Sequence, residues 1–327
     1  VAGAHWPAVR KRGDRYVSFA RALDRPDSLT PIAKPMPRPP REARPLAFSV
    51  TDIEHWLRDP YTIYARHILR LKRLDPVDMA PSAADRGSAI HAAVGRFSQT
   101  FADALPPDAH AQLLAIGRAE FQALDDHPEA RALWWPRFER IARWLIGWEE
   151  ARRPDLAAMR AEIRGEITIA LGERSFRLFG RADRIERRRD GRYAILDFKT
   201  GGAPSSTQVR IGIAPQLTLE GAILRGGGFK GFSSDASIAE LVYVKLKGSE
   251  QAGENAPVDF KDGSPDAAAD HALAKLTELA TRFEDEATPY RSLVLPMWAN
   301  RYGTYDDLAR VKEWSATGDA TEGEGTE

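Results

Sequence analysis

Cysteine is absent from the 327-residue chain. That excludes disulfides, zinc–thiolate sites and cysteine-ligated iron–sulfur clusters by chemistry. Net charge is missing too: 47 basic and 47 acidic side chains cancel. No molecule-wide field draws a polyanion, so any contact with nucleic acid must come from a local patch. There is no apolar run long enough to cross a bilayer and no secretory leader, so a cytoplasmic protein without membrane contact is expected.

Material for a core is plentiful. Hydrophobic residues make up 43% of the chain, with 8 Trp and 13 Phe, which argues against general disorder. The chain begins with Val rather than Met. Six prolines between Pro31 and Pro45, interleaved with Lys34, Arg38, Arg41 and Arg44, describe an extended connection. Residues 1–46 therefore read as a Pro/Arg-rich linker or leader of a fragment from a longer protein. Residues 47–314 read as one domain and 315–327 as a disordered Gly/Thr/Glu tail.

Within the domain the hydrophobic period changes once. Thr51-Asp-Ile-Glu54 has the form of a capping box opening a short helix, broken at Asp59-Pro60, with a second helix over Tyr61–Leu71. Helical spacing recurs over Ala83–Ala104, Ala109–Leu124 and the Trp-dense Glu129–Arg152. Glu162–Leu171, Ser175–Glu186 and Arg192–Thr200 then read as three sequential antiparallel strands turning near Gly172-Glu173 and Asp190-Gly191. A helix at Ala214–Leu224, a strand at Ile238–Lys247 and a long helix at Ala267–Ala287 follow. The pattern is α/β, with a mixed central sheet, flanking helices and a helical insertion on the N-terminal side.

Chemistry concentrates in the last two of the three strands. Alternation puts Tyr193, Ile195 and Asp197 on one face of the third, and Ala194, Leu196 and Phe198 on the other. Both faces are apolar, so the strand is covered on both sides. A charge there costs free energy unless it is paired or binds metal. The Asp190-Gly191 hairpin can bring Asp183 alongside Asp197, with Lys199 beside them. Two carboxylates and an ammonium make an oxygen-rich site for Mg²⁺ or Mn²⁺. Arg181, Arg184, Arg187, Arg188, Arg189 and Arg192 form either a phosphate-binding cluster or a solvated hairpin tip. Trp134, Trp135, Trp144 and Trp148 read as packing rather than as a base-stacking platform.

The order Gly87-x-x-x-His91, Glu166, Gly180-x-x-Asp183, Asp197-x-Lys199 and Gln216 resembles the RecB-type branch of the PD-(D/E)xK nuclease superfamily. Ser49–Leu71 and Tyr305–Arg310 are similar to the C-terminal nuclease region of the AddB family. The resemblance implies a restriction-endonuclease-like fold and a Mg²⁺- or Mn²⁺-dependent deoxyribonuclease of the bacterial cytoplasm. It implies metal ligands at His91, Asp183, Asp197, the Phe198 carbonyl and Glu166, and catalytic roles for Asp183, Asp197, Lys199 and Gln216. Its implied partners are single-stranded DNA ends, cut on the 5′-terminated strand, and an AddA-like helicase–nuclease subunit. Two departures stand out. Glu220 occupies the place of the Tyr in the family's Gln-x-x-x-Tyr motif. Asp59 stands where related nucleases carry the first cysteine of an iron–sulfur cluster, so closure is expected from Trp56, Leu57, Tyr61 and Tyr64 packing with Tyr290, Leu293, Leu295 and Trp298. The rival readings are a free-standing RecB-like exonuclease and a catalytically dead DNA-end scaffold.

Overall fold

The computed structural model describes residues 2–25, 32–74, 80–124, 127–234, 236–261, 263–293 and 303–316. Two compact units emerge, one of residues 35–305 and one of residues 1–34 with 306–327.

In the smaller unit Ala2–Leu23 forms helix α1, where a linker was expected. Its Trp6, Val9, Tyr16, Val17, Phe19 and Leu23 are all exposed. Without a buried stripe, and with Pro7 inside, the segment lacks the periodic signal by which helices are read. The Pro-rich stretch after it has neither helix nor strand from residue 32 to 40, yet from Pro35 onward it is not a free tether. The amide of Tyr290 donates to the Pro37 carbonyl at 2.9 Å. Arg44 is 3% exposed and donates to the carbonyls of Pro39, Phe283 and Glu286.

The larger unit is built on one six-stranded mixed sheet. Strand β1 (Ala47–Ser49) leads into α2 (Val50–Arg58). The capping box of α2 is Ser49 with Asp52, two residues earlier than the sequence pattern suggests. Helix α3 (Pro60–Ile63) runs into a π-turn, and α4 (Ala83–Thr100), α5 (Ala109–Glu120) and α6 (Pro128–Arg152) make the expected helical insertion. Strands β2 (Leu156–Leu171), β3 (Arg174–Arg188) and β4 (Tyr193–Lys199) form the antiparallel meander. Helices α7 (Ser206–Arg210) and α8 (Gln216–Arg225) cross over to β5 (Ile238–Leu246), which pairs with β4 in parallel. Strand β6 (Gly253–Pro257) and helix α9 (Pro265–Arg282) close the unit. In the smaller unit, α10 (Val311–Ala316) follows.

The alternation along β4 sorts two cores. Tyr193 and Ile195 pack with α2, α8 and α9, while Ala194, Leu196 and Phe198 pack with α4, α5 and α6. The insertion therefore supplies the second layer over the sheet. Trp134 is buried in this layer and Trp135, Trp144 and Trp148 pack against it, the packing role expected of them. The arginine cluster divides. Arg184 is fully buried, bonded through both terminal nitrogens to Glu149 and paired with Glu186. Neither a phosphate patch nor a solvated tip describes it. Its alternation partner Asp183 faces the other way, toward the site.

Candidate active site

The site exists because the sheet forks. One edge of β3 is covered along its length by β2. Its other edge is shared: β4 pairs with Arg184–Arg187 and β1 pairs with Arg177–Phe179. The last β3–β4 pair is Arg184 with Leu196, immediately before Asp183 and Asp197. Past that point β4 continues with β5 alone, where Asp197 lies opposite Tyr243. Residues 180–183 are left in the opening between β1 and β4. Gly180 keeps it narrow, since a Cβ there would come 3.1 Å from Val50 of α2.

Asp183 is 8% exposed. Its Oδ2 accepts from the Phe198 amide and is bonded to His91 Nε2, both at 2.8 Å. Helix α4 delivers that imidazole by close approach. A Cβ on Gly87 would lie 2.7 Å from the Thr200 hydroxyl, and one on Gly95 would lie 2.4 Å from Glu162 Oε1. Glycines one turn either side of His91 thus let the helix settle on the fork. The hydrogen bond to Asp183 raises the His91 pKa against the lowering effect of burial.

Asp197 is 2% exposed. Its Oδ1 accepts from Lys199 Nζ at 3.1 Å and from Gln216 Nε2 at 2.6 Å, while the Gln216 carbonyl oxygen accepts from Lys199 at 3.1 Å. Gln216, at the first turn of α8, thereby ties carboxylate and ammonium into one ring. The other oxygen, Oδ2, lies 2.8 Å from the ammonium but is aligned for no hydrogen bond. Burial, and then the charge of Asp183, push the Asp197 pKa up to about 6 despite Lys199. Burial alone would lower the Lys199 pKa, but Asp197 outweighs it and the ammonium is held.

The third carboxylate is Glu162, not Glu166. Glu162 stands across from Asp183 between the pairs Ala161–Arg184 and Ile163–Ala182. Its φ of 53° lies in the left-handed region, which costs a non-glycine residue on the order of 1 kcal/mol. One Glu162 oxygen is 3.7 Å from His91 Nδ1 and the other is 3.0 Å from Arg181. Burial and the Asp183 charge raise its pKa. Glu166 sits four residues along β2, opposite Phe179, exposed and paired with Arg177 at 3.0 Å. At about 3.3 Å per residue that is too far along the strand to share a cation with Asp183. Glu162 was within reach of sequence reasoning, because counting back equally from the Gly172-Glu173 turn pairs 162 with 183.

One ligand atom each from His91, Glu162 and Asp183 lie within 4.8 Å of one another. Together with the unsatisfied Asp197 Oδ2, they suit a divalent cation that prefers oxygen and accepts one imidazole. Behind them Glu220 is 1% exposed and accepts from Gln216 at 3.3 Å, with burial raising its pKa well above the usual carboxyl range.

The sequence profile of the PD-(D/E)XK nuclease superfamily matches residues 47–293, and the chain belongs to that superfamily. Membership points to a nuclease, and nucleases of this superfamily depend on a divalent metal. The chain is 28% identical over 218 residues to an uncharacterized protein of Rickettsia bellii (strain RML369-C), across 63% of this chain and 26% of the relative. It is 30% identical over 196 residues to an uncharacterized protein of Rickettsia typhi (strain ATCC VR-144 / Wilmington), across 58% of this chain and 23% of the relative. The chain thus spans about a quarter of the length of these curated relatives. The crystal structure of SSO0001 aligns with 71% of this chain and 77% of that one at 12% identity, with a TM-score of 0.28, too slight a likeness to inform the site. No helix among the described residues is long and apolar enough to cross a membrane.

Proposed function

We propose that the chain is a Mg²⁺- or Mn²⁺-dependent deoxyribonuclease domain of AddB type, hydrolysing single-stranded DNA at ends processed during double-strand-break repair. The observation that carries the nuclease reading is the fork: three metal-capable side chains gather where β3 and β4 part, with Asp197 and its paired Lys199 on the adjoining strand.

His91, Glu162, Asp183 and Asp197 would hold the cation, and a bound divalent ion supplies Lewis acidity toward the phosphate and a more acidic attacking water. Lys199 is restrained by both Asp197 and Gln216, so its ammonium is presented in a fixed direction. From there it orients the attacking water and offsets charge growing on the phosphate oxygens. The water gives up a proton as its oxygen bonds to phosphorus, the bond to one sugar oxygen breaks, and that oxygen takes up a proton, giving a phosphate monoester and an alcohol. Gln216 takes no part in the chemistry; it sets the geometry of the two groups that do.

The strand preference, the cut on the 5′-terminated strand and an AddA-like helicase–nuclease partner rest on the resemblance of Ser49–Leu71 and of the site motifs. The test is incubation of the chain with end-labelled single- and double-stranded DNA in Mg²⁺, Mn²⁺ or chelator. Metal-dependent release of short products from the single strand is expected. No cleavage in either metal, alone or with an AddA-type subunit added, would overturn the reading.

A further inference from the structure

Two clefts meet at the fork, and the same two arginines line both. A groove of about 720 Å³ lies beside Ser49–Thr51 and Asp183, and a cleft of about 1070 Å³ lies beneath α4 beside His91 and Lys199. Arg164 and Arg181, a cross-strand pair of β2 and β3, belong to each. Arg181 is engaged with Glu162 at 3.0 Å. The side chains of Arg164 and, on the wall of the groove, Lys230 are exposed and make no ion pair or hydrogen bond among the described residues.

The position of Lys230 is built rather than incidental. The loop after α8 is stitched to β2 by the Gly165–Phe229 bridge and by the Glu166 amide donating to the Gly228 carbonyl at 3.1 Å. Both glycines are required for that approach. A Cβ on Gly228 would fall 2.2 Å from the Glu166 carbonyl oxygen, and one on Gly165 would fall 2.4 Å from the Phe229 ring. The same groove holds the half-buried Phe179, with the Arg177 guanidinium 5.2 Å from its ring centre.

We propose that Lys230 and Arg164 are phosphate anchors on a track that carries one nucleic-acid strand through the groove, past Asp183, into the cleft beneath α4. The inference rests on the nuclease reading above and names how its substrate is held. Free cations flanking an acidic centre are what a polyanion needs to approach it, since the carboxylates alone would repel phosphate. A strand that runs from one cleft into the other has to turn at the Arg164–Arg181 pair that lines both. A duplex, stiff over about 150 base pairs, does so only at great cost, whereas a single strand is flexible. Phe179 offers a ring to one unstacked base, the sequence-tolerant contact of single-strand binders.

The test is fluorescence anisotropy with a labelled single-stranded oligonucleotide, in chelator so that nothing is cleaved, over a range of salt. The double variant Arg164→Glu/Lys230→Glu is expected to weaken binding by at least about tenfold at low salt. The neutral pair Arg164→Gln/Lys230→Gln should lower the slope of log affinity against log salt by about 1.4, two contacts at about 0.7 each. Lys275→Glu, on the exposed face of α9, should change neither. Melting curves check that each variant is folded, and the neutral pair carries the test if the charge reversal is not. If the wild type binds and cleaves DNA while both double variants match it, the track is wrong and the nuclease reading stands. If the wild type prefers duplex, the threaded single strand is wrong. If it neither binds nor cleaves any DNA, both fall together.

Discussion

Asp183 Oδ2 is held by two donors, the His91 ring and the Phe198 amide, and Asp197 by two others, Lys199 and Gln216. A ligand and a helper are separable by substitution. Asp197→Ala should abolish cleavage while leaving the fold and most DNA affinity intact, because backbone binding is spread over many phosphate contacts. Full activity in the purified variant would remove this carboxylate from the site. Lys199→Ala should slow cleavage yet largely spare Mn²⁺ affinity measured by calorimetry, since an ammonium is no ligand; a loss equal to that of Asp183→Ala would contradict the division of roles. Protons compete with the cation. Asp197 titrates at about 6 and His91 above its usual value, and both must be deprotonated to serve as ligands. Mn²⁺ affinity should therefore fall by about tenfold or more between about pH 7.5 and about pH 5, and a flat profile would exclude Asp197 and His91 as ligands. Without metal the sign reverses. A carboxyl raised on folding from 3.8 to about 6 makes its stabilising contribution at low pH and loses it as pH rises through that window.

At the level of elements, the fork depends on how closely α4 can lie on β2 and β4. Gly95→Ala separates packing from propensity. Alanine favours a helix interior by about 1 kcal/mol over glycine, so the helix itself gains. The new methyl, however, meets the Glu162 carboxylate and must push it aside. The expected result is an unchanged or slightly raised melting temperature with Mn²⁺ affinity several-fold weaker; unaltered affinity would show that Glu162 is not needed. Long periodic or alternating segments were legible in the sequence: α4, α6, β3, β4 and β5 lie close to their expected bounds, whereas β2 begins six residues before its expected start and α9 ends five residues before its expected end. The two faces of β4, with Asp197 and Lys199, followed from alternation, and Asp183 followed from the hairpin at Asp190-Gly191. What escaped was set by tertiary contact. Strand β1 is three residues long and exists only because β3 offers an edge. Helix α1 has no buried side chain among the described residues. Glu162 and Glu166 have the same local chemistry, and only strand register separates them.

For the larger unit as a whole, the question is how its two ends are closed without a metal cluster. Asp59 works as a polar staple. Its Oδ1 accepts from the Leu293 amide at 3.0 Å and its Oδ2 from the Thr62 hydroxyl at 2.6 Å. The Tyr61 amide donates to the Arg291 carbonyl at 3.1 Å. Around this staple the aromatic closure expected from the sequence is partly described. Tyr64 lies 6.3 Å from Tyr290 and Trp56 lies 4.9 Å from Phe283, ring centre to ring centre, whereas Leu295 and Trp298 fall outside the described residues. Trp56 is the central piece: 2% exposed, it also meets Phe48 at 4.8 Å and Phe176 at 5.9 Å. Its indole N–H is buried without an acceptor, so its contribution is packing alone. Trp56→Ala should then cost about 3–5 kcal/mol, lowering the melting temperature by roughly 10 °C in a unit of this size. Trp56→Phe keeps the ring contacts and removes an unsatisfied donor, so it should cost much less than the alanine variant. Neither melting curve should respond to strong iron chelation, because a chain without cysteine has no thiolate to hold a cluster. If Trp56→Phe proves as damaging as Trp56→Ala, the indole N–H matters and the closure is not one of aromatic packing.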